Sequence, residues 1–169
     1  MMRMCLYGNP MLRTPIPPMV EVTENDKKMS DLMLEAMYRH RGVGLAANQV
    51  GINKRMFVYD IGDGPHTVIN PTLEFVGTEI LHEPEGCLSI PGFGWRISRL
   101  AKVLLTGESL YGGKGTVEAE GLLARVFQHE TDHLDGITLA QRLSDEERRH
   151  FKKQILALSQ NPRQMAGVD

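Results

Sequence analysis

Residues 128–133 read Gln-His-Glu-Thr-Asp-His, which is an H-E-x-x-H pattern. On a helix, side chains four residues apart lie one above the other, so His129 and His133 can point two imidazoles at one metal ion. Glu130 directly follows the first candidate ligand, where its carboxylate can reach a water molecule without binding the ion. This combination activates water for attack on a carbonyl, so hydrolysis of an amide is the first hypothesis.

Two histidines at this spacing are not specific alone, since many such pairs are solvated or packed in a core. The residues before them strengthen the case, because apolar side chains recur at helical spacing from residue 122 onward. Val126, Arg125 and Leu122 precede His129 by three, four and seven residues. They are therefore predicted to lie on the metal-facing side of the helix, beside the ion.

A catalytic zinc-type site needs a third protein ligand and one open position. The best candidate lies upstream, because Cys87 offers a soft thiolate, and Gly86 and the following Pro91-Gly92 predict a strand end or a tight turn there. A lone cysteine is more often a small buried hydrophobe, so this assignment stays open at this point. The downstream alternatives, none with a local signature, are Asp135, Asp145, Glu146, Glu147 and His150.

Three segments in this order resemble the motifs of the peptide deformylases. They read Gly-Val-Gly-Leu-Ala-Ala-Asn-Gln at 42–49, Glu-Gly-Cys-Leu-Ser at 85–89 and Gln-His-Glu-Thr-Asp-His-Leu-Asp-Gly at 128–136. A looser resemblance runs from about Asn9 to Arg142. Members of this family remove the formyl group from the N-terminal methionine of newly made polypeptides. The resemblance implies the same reaction here.

The resemblance also implies a role for individual residues. Cys87, His129 and His133 are expected to be the metal ligands, and Glu130 the general base. Gln49 and the backbone N–H of Leu88 are expected to donate hydrogen bonds to the developing oxyanion, which lowers the barrier by about 3–4 kcal/mol for each donor in other enzymes. We expect one divalent ion, Fe²⁺ in the cell, with Zn²⁺, Ni²⁺ and Co²⁺ as alternatives.

The substrate pocket is predicted from the neighbours of these residues. Val43, Leu122 and Val126 are expected to form walls for the methionine side chain. Gly44 lets the backbone approach the substrate closely. Arg125 is a further candidate contact with the substrate.

The chain departs from the family pattern after its second motif. Many members carry an arginine and then a small residue where this chain has Gly94 and Trp95. The departure leaves the proposed catalytic residues intact and puts in doubt how the substrate backbone is held beyond the methionine. Arg96 or Arg99 is a possible substitute, although an arginine at a strand edge is more often only solvated.

Bulk properties agree with an ordinary globular enzyme. A chain of 169 residues, 41% of them hydrophobic, fits one domain with a sizeable core. The net charge of −2 gives no overall nucleic-acid signature, so no DNA partner is expected. No apolar run reaches membrane-spanning length, and residues 1–13 lack the apolar core of a signal peptide. Two cysteines argue against a disulfide framework. We therefore expect a cytoplasmic protein that does not bind membranes.

The remaining pattern predicts an α+β fold, with small antiparallel sheets packed around the central metal-binding helix and with a C-terminal helix. A further helix is predicted at about 25–41, and the C-terminal helix begins at Ser144, where Ser-Asp-Glu-Glu forms a capping box. Extended segments are predicted at 55–59, 68–69, 73–81 with an interruption at Gly77, 101–106 and 116–120.

Residues 1–169 are predicted to form a single catalytic domain, with a disordered tail from about residue 159. The C-terminal helix carries a run of basic residues, which we interpret as a solvated face. Because some deformylases are thought to meet the ribosome through this helix, a ribosome contact is the alternative. The rival functions are a metalloendopeptidase, a binding module without turnover and a structural metal site, although the last would normally show four protein ligands.

Overall fold

The computed structural model describes residues 2–159, with side-chain detail to residue 157. The predicted tail therefore lies outside the described residues, apart from Ser159 at the end of the last helix. The described α-helices are α1 (Glu24–Arg39), α2 (Gly121–Leu134) and α3 (Asp145–Ser159), and the strands are β1 (Gly44–Ala46), β2 (Met56–Tyr59), β3 (His66–Gly86), β4 (Gly94–Glu108) and β5 (Lys114–Glu120).

The five strands form one antiparallel sheet in the order β1-β2-β3-β4-β5, so the α+β class is confirmed. The prediction of several small sheets differs from this arrangement. Pro71 and Gly77 were expected to separate extended segments, yet β3 runs through both residues. Register shifts between Ile69 and Thr72 and between Val76 and Ile80 absorb these residues without ending the pairing with β4.

Helix α2 lies at the centre of the fold, as predicted. Every residue from 124 to 134 is buried, which is more than one amphipathic face allows. Phe127 packs with Phe57 and Tyr59 of β2 in one core cluster, and Leu134 at the end of the helix belongs to the same cluster. The helix is thus enclosed by protein, which fixes the direction of the histidines that it carries.

Two further core clusters attach the remaining helices. Helix α1 buries Met33 and Met37 against β1 and β2. Helix α3 buries Phe151, which meets the rings of Tyr7 and Trp95 edge-on at centroid distances of 4.8 and 5.1 Å. No helix among the described residues is long and apolar enough to cross a membrane.

The first turn of α1 depends on Asp26. Its Oδ2 accepts hydrogen bonds from the Thr23 N–H at 2.8 Å and from the Thr23 hydroxyl at 2.7 Å, and its Oδ1 lies 3.2 Å from Lys54 Nζ. Burial alone would raise the pKa of Asp26, but the bonds from Thr23 and Lys54 outweigh it and lower the pKa. The stabilisation is therefore present at neutral pH and is lost as the pH falls through the lowered pKa.

We expect Asp26→Ala to lower the free energy of unfolding by about 1–2 kcal/mol at pH 7, because it removes the N-terminal capping interaction of α1. Urea unfolding of both proteins measures the difference. The matched control is Asp31→Ala, which removes an exposed carboxylate from the same helix and should change the stability by less than about 0.5 kcal/mol. Equal effects of the two substitutions would contradict the role of Asp26.

Candidate metal centre and active site

Helix α2 presents His129 and His133 on one face, one turn apart. The helix ends at Leu134, and Gly136 follows in the left-handed region at φ 74°. A side chain at Gly136 would press on the Arg13 carbonyl, since a Cβ there would lie 2.8 Å from the oxygen. The glycine lets the chain turn sharply just after the second histidine.

Cys87 joins the two histidines although it lies more than 40 residues away in the chain. It follows directly after β3, which ends at Gly86. Its Sγ lies 3.2 Å from His133 Nε2, and that nitrogen lies 3.1 Å from His129 Nε2. All three donor atoms lie within 4.8 Å of one another and are buried or nearly so.

The donor set fits a divalent metal ion. A thiolate and two imidazoles that converge on one point are a ligand set for zinc and other first-row metals. Three protein donors also leave a coordination position free, as a catalytic site requires. The downstream carboxylates and His150, the alternatives to Cys87, do not join this cluster, the single such group among residues 2–159.

Glu85 orients the first histidine of the pair. Its Oε1 accepts a hydrogen bond from His129 Nδ1 at 2.6 Å, which leaves Nε2 for the cluster. Burial alone would raise the pKa of Glu85, but the bonds from His129 and Arg99 outweigh it and hold the pKa well below its usual range. Glu85 is therefore a buried carboxylate that stays ionised.

Two arginines neutralise this buried carboxylate. Arg99 donates to Glu85 from Nη2 at 2.6 Å and from Nε at 3.1 Å, and Arg125 donates from Nη1 at 2.8 Å. Arg99 also donates to Asp132 Oδ2 at 2.6 Å, and Arg142 binds both oxygens of Asp132. A chain of charges thus runs from the histidine to the partly exposed Arg142.

The sequence predicts Arg99 to be a solvated strand-edge residue or a contact with the substrate backbone, and the structure shows neither. Arg99 is 5% exposed and fully engaged within the protein. The sequence does indicate that Arg99 is buried, because Arg99 follows the apolar Ile97 by two residues and therefore shares its face of β4. That face is buried against α2.

Glu130 lies beside the cluster with its carboxylate pointing into a confined space. It is 3% exposed, its Oε2 makes no hydrogen bond to a described residue, and burial raises its pKa to about 7. A Cβ at Gly44 would overlap the Glu130 carboxylate, so only glycine fits there without displacement. One oxygen of this carboxyl group is thus without a protein partner, and the group can exchange a proton near neutral pH.

Gln49 is held with its N–H groups toward the cysteine. Its Oε1 accepts a hydrogen bond from the Ala46 N–H at 2.9 Å, and its Nε2 lies 3.6 Å from Cys87 Sγ and 3.2 Å from Ser89 Oγ. The backbone N–H of Leu88, one residue after the cysteine, makes no hydrogen bond to another described residue. Both donors therefore border the space next to the cluster.

A cavity of about 540 Å³ opens onto these groups. Val126 lies deep and is 4% exposed, whereas Val43 and Leu122 lie at the mouth and are about half exposed. Arg125 also lines the cavity, but its guanidinium is engaged by Glu85 and by the carbonyl oxygens of Leu81 and Ile97. The other predicted residues at the cavity surface are Gly44, Gln49, Cys87, Leu88, His129 and Glu130.

The departure at Gly94-Trp95 has a structural consequence. The Trp95 ring stacks on Phe93 at 5.6 Å between centroids and meets Phe151 of α3 edge-on. Trp95 therefore attaches the C-terminal helix to β4. Arg96, the nearby cation, is exposed and donates to the carbonyl oxygen of His82.

Comparison with proteins of known family agrees with the geometry of this site. Residues 1–149 match the sequence model of the family described as polypeptide deformylase. The peptide deformylase of Thermotoga maritima is 40% identical over 159 residues, which are 94% of this chain and 97% of that protein. The peptide deformylase of Desulfitobacterium hafniense is 44% identical over 142 residues, 84% of this chain and 94% of that one.

Solved structures agree with the sequence relatives. The crystal structure of the Thermotoga maritima peptide deformylase superposes with a TM-score of 0.82 at 43% identity, covering 85% of this chain and 98% of that one. A peptide deformylase from Synechococcus elongatus in complex with actinonin gives a TM-score of 0.83 at 35% identity, covering 87% of this chain and 81% of that one. The likeness extends over nearly the whole fold.

Proposed function

This chain belongs to the polypeptide deformylase family, a family of metal-dependent hydrolases that remove the N-formyl group from nascent polypeptides, and we propose that Cys87, His129 and His133 hold its metal ion. The observation that carries the proposal is the convergence of a thiolate and two imidazoles beside Glu130, whose buried Oε2 has no hydrogen-bond partner among the described residues. Three ligands of this kind fit a catalytic centre better than a structural one.

When bound, a divalent ion supplies Lewis acidity, which brings the pKa of water into the neutral range. The protein supplies one group for the proton transfers and two donors for the developing negative charge. Glu130 takes a proton from the attacking water and later gives it to the leaving amine. Its raised pKa suits both steps, because a group with a pKa near the working pH can accept and release a proton with similar ease.

The formyl carbonyl oxygen gains negative charge as water adds to its carbon. Gln49 Nε2 and the Leu88 N–H are the donors that we assign to this oxyanion. Gln49 is already oriented by the Ala46 N–H, so little reorganisation is needed during the reaction. A neutral amide also offers donors without the desolvation cost of a charge.

We assign the methionine side chain to the apolar part of the cavity, between Val43, Leu122 and Val126. Gly44 leaves room for the Glu130 carboxylate at the cavity surface, because a Cβ there would overlap that carboxylate. The contribution of Arg125 is to hold Glu85 and the adjacent wall rather than to reach out to the peptide, because its guanidinium is engaged.

The acyl group offers a direct test of this assignment. We expect formyl-methionyl peptides to react about 5- to 150-fold faster than acetyl-methionyl peptides, because an added methyl group in a confined site costs about 1–3 kcal/mol. The measurement is kcat/KM for the formyl and acetyl forms of one tripeptide. The products are also checked for cleavage of the peptide bonds within the tripeptide. Equal rates, or cleavage within the peptide, would instead favour an endopeptidase.

We infer that Fe²⁺ is the ion used in the cell, because a mixed thiolate and imidazole set can hold Fe²⁺, Zn²⁺, Ni²⁺ or Co²⁺, and metal availability rather than affinity decides among them. We further propose that residues 1–169 act as one catalytic domain in the cytoplasm, where nascent chains arise. Support for one domain comes from the site itself, whose residues come from β1 and the turn directly after it, the β3–β4 connection and α2.

A ribosome contact through α3 is a separate proposal. Of its four basic residues near the middle, Arg148 is engaged by the carbonyl oxygens of Ala140 and Leu143, whereas Arg149, Lys152 and Lys153 face solvent. These three are the cations that we assign to ribosomal RNA. Cosedimentation with ribosomes should fall when all three are replaced by glutamine, and unchanged binding would leave them as a solvated face.

A further inference from the structure

The mouth of the cavity carries exposed charge of one sign. Arg39 and Arg41 line it on one side, whereas the two carboxylates at the cavity surface, Glu85 and Glu130, are buried. Arg39 is already paired with Glu35 at 2.5 Å. The Arg41 guanidinium makes no hydrogen bond or ion pair with any described residue, so its charge is free to meet a ligand.

Arg41 also stands where glycine is the usual residue. It is the first residue beyond the C-cap of α1, with φ 57°, and the hydrogen bonds Gly42 N–H to Met37 carbonyl at 2.9 Å and Arg41 N–H to Tyr38 carbonyl at 3.0 Å complete the turn. Helix α2 ends with the same pattern of bonds but uses Gly136 at this position. The arginine is therefore the less favourable choice for the backbone conformation.

The position of Arg41 is close to the reacting groups. The next residue, Gly42, packs on Leu88, where an added Cβ would lie 2.7 Å from the leucine Cδ1. Gly44, three residues after Arg41, borders the Glu130 carboxylate. Three residues span at most about 10 Å, so the Arg41 backbone lies close to the reacting groups, and Arg41 lines the same cavity.

We propose that Arg41 is a specificity-determining residue that favours acidic side chains in the first two residues after the methionine. This inference rests on the proposed function, because it needs the cavity to be the peptide-binding site. An exposed guanidinium has no counter-charge here until a peptide carboxylate supplies one. The expected effect of Arg41 is electrostatic, so it depends on the charge of the substrate side chain. It differs in this from a contact with the substrate backbone, which Gly94 cannot make because it has no side chain.

The test uses two sets of tripeptides. The first set is formyl-Met-Asp-Ala, formyl-Met-Asn-Ala and formyl-Met-Lys-Ala, and the second set is formyl-Met-Ala-Asp, formyl-Met-Ala-Asn and formyl-Met-Ala-Lys. With the wild-type protein we expect kcat/KM to be about two- to fivefold higher for Asp than for Asn at one of the two positions, as for a solvent-exposed ion pair. The difference should lie mainly in KM. It should largely disappear in 1 M salt, where screening acts over about 3 Å.

Two variants of Arg41 separate binding from folding. Arg41→Gln should abolish the preference for Asp over Asn, whereas the matched control Lys28→Gln, which removes one exposed cation from the far end of α1, should keep it. Arg41→Gly should abolish the preference while leaving Tm unchanged or higher, because glycine suits the left-handed backbone. A merely structural arginine would move Tm without changing the ratio between substrates.

The outcomes distinguish two failures. If none of the formylated peptides is deformylated, the proposed function is wrong. If all are deformylated but the wild type treats Asp and Asn alike, or if Arg41→Gln keeps the preference, the inference about Arg41 is overturned while the function stands.

Discussion

Replacing Glu130 by glutamine should lower kcat/KM for a formyl-methionyl peptide by at least about 100-fold, the usual scale for loss of a general base. The amide keeps the volume and one acceptor oxygen, so it fits the space beside Gly44, but it cannot take a proton from water. Metal stoichiometry should not change, because Glu130 is not one of the three donors that converge in the cluster.

The control for this variant is Glu146→Gln, which alters an exposed glutamate on α3 and should keep normal turnover. Metal content, measured alongside kinetics, separates loss of the base from loss of the ion. Near-normal turnover of Glu130→Gln with one metal per chain would show that another group moves the proton.

The second large effect is expected at Glu85. Glu85→Ala removes the acceptor that orients His129 and leaves the buried Arg99 and Arg125 without their shared carboxylate. Metal affinity should fall about 10–100-fold through the loss of the histidine partner. The free energy of unfolding should fall by about 3–5 kcal/mol, because a buried charge pair has lost one partner.

Asp132→Ala separates the loss of stability from the loss of metal affinity. Asp132 binds Arg99 and Arg142 but does not touch His129, so its loss should destabilise the fold while changing metal affinity much less. Glu83→Ala, on the exposed side of β3, is the matched control and should change neither quantity appreciably. If Glu85→Ala binds metal as tightly as the wild type, the histidine needs no carboxylate to orient it.

The ligand pair of α2 is the part of the site that local sequence predicts best. A spacing of four residues on a helix fixes the relative direction of His129 and His133 whatever surrounds them. Cys87 could be named as a candidate for its chemistry, but its proximity to the histidines depends on where β3 ends. Gly86 and Pro91-Gly92 predict a strand end beside Cys87, but the position of that end relative to α2 is set by pairing with β4 over many residues.

The charged network was harder to predict for a related reason. Whether Glu85 and Arg99 face water or protein is decided by the packing of α2 across β3 and β4, and strand alternation gives only which residues share a face. Likewise, Arg41 occupies a left-handed position where helix-ending rules favour glycine, so the sequence around α1 predicted a longer helix than the structure has.

The length of β3 is the clearest difference in the fold. Pro71 lacks an N–H and Gly77 weakens a strand, so each residue predicts an end to local pairing. In the structure the long partner strand continues past both residues, and shifts in register take up the irregularity. Pairing over the rest of the hairpin outweighs two locally unfavourable residues.

The central claim is that one ion held by Cys87, His129 and His133 makes the protein a deformylase. The most direct measurement is an anaerobic titration of metal-free protein with Fe²⁺, following both bound metal and release of formate from formyl-Met-Ala-Ser. We predict that activity rises in proportion to bound metal and saturates at one ion per chain, and that Cys87→Ala neither binds the ion tightly nor gains activity. Full activity without metal, or a Cys87→Ala protein that binds one ion with unchanged affinity, would contradict the account.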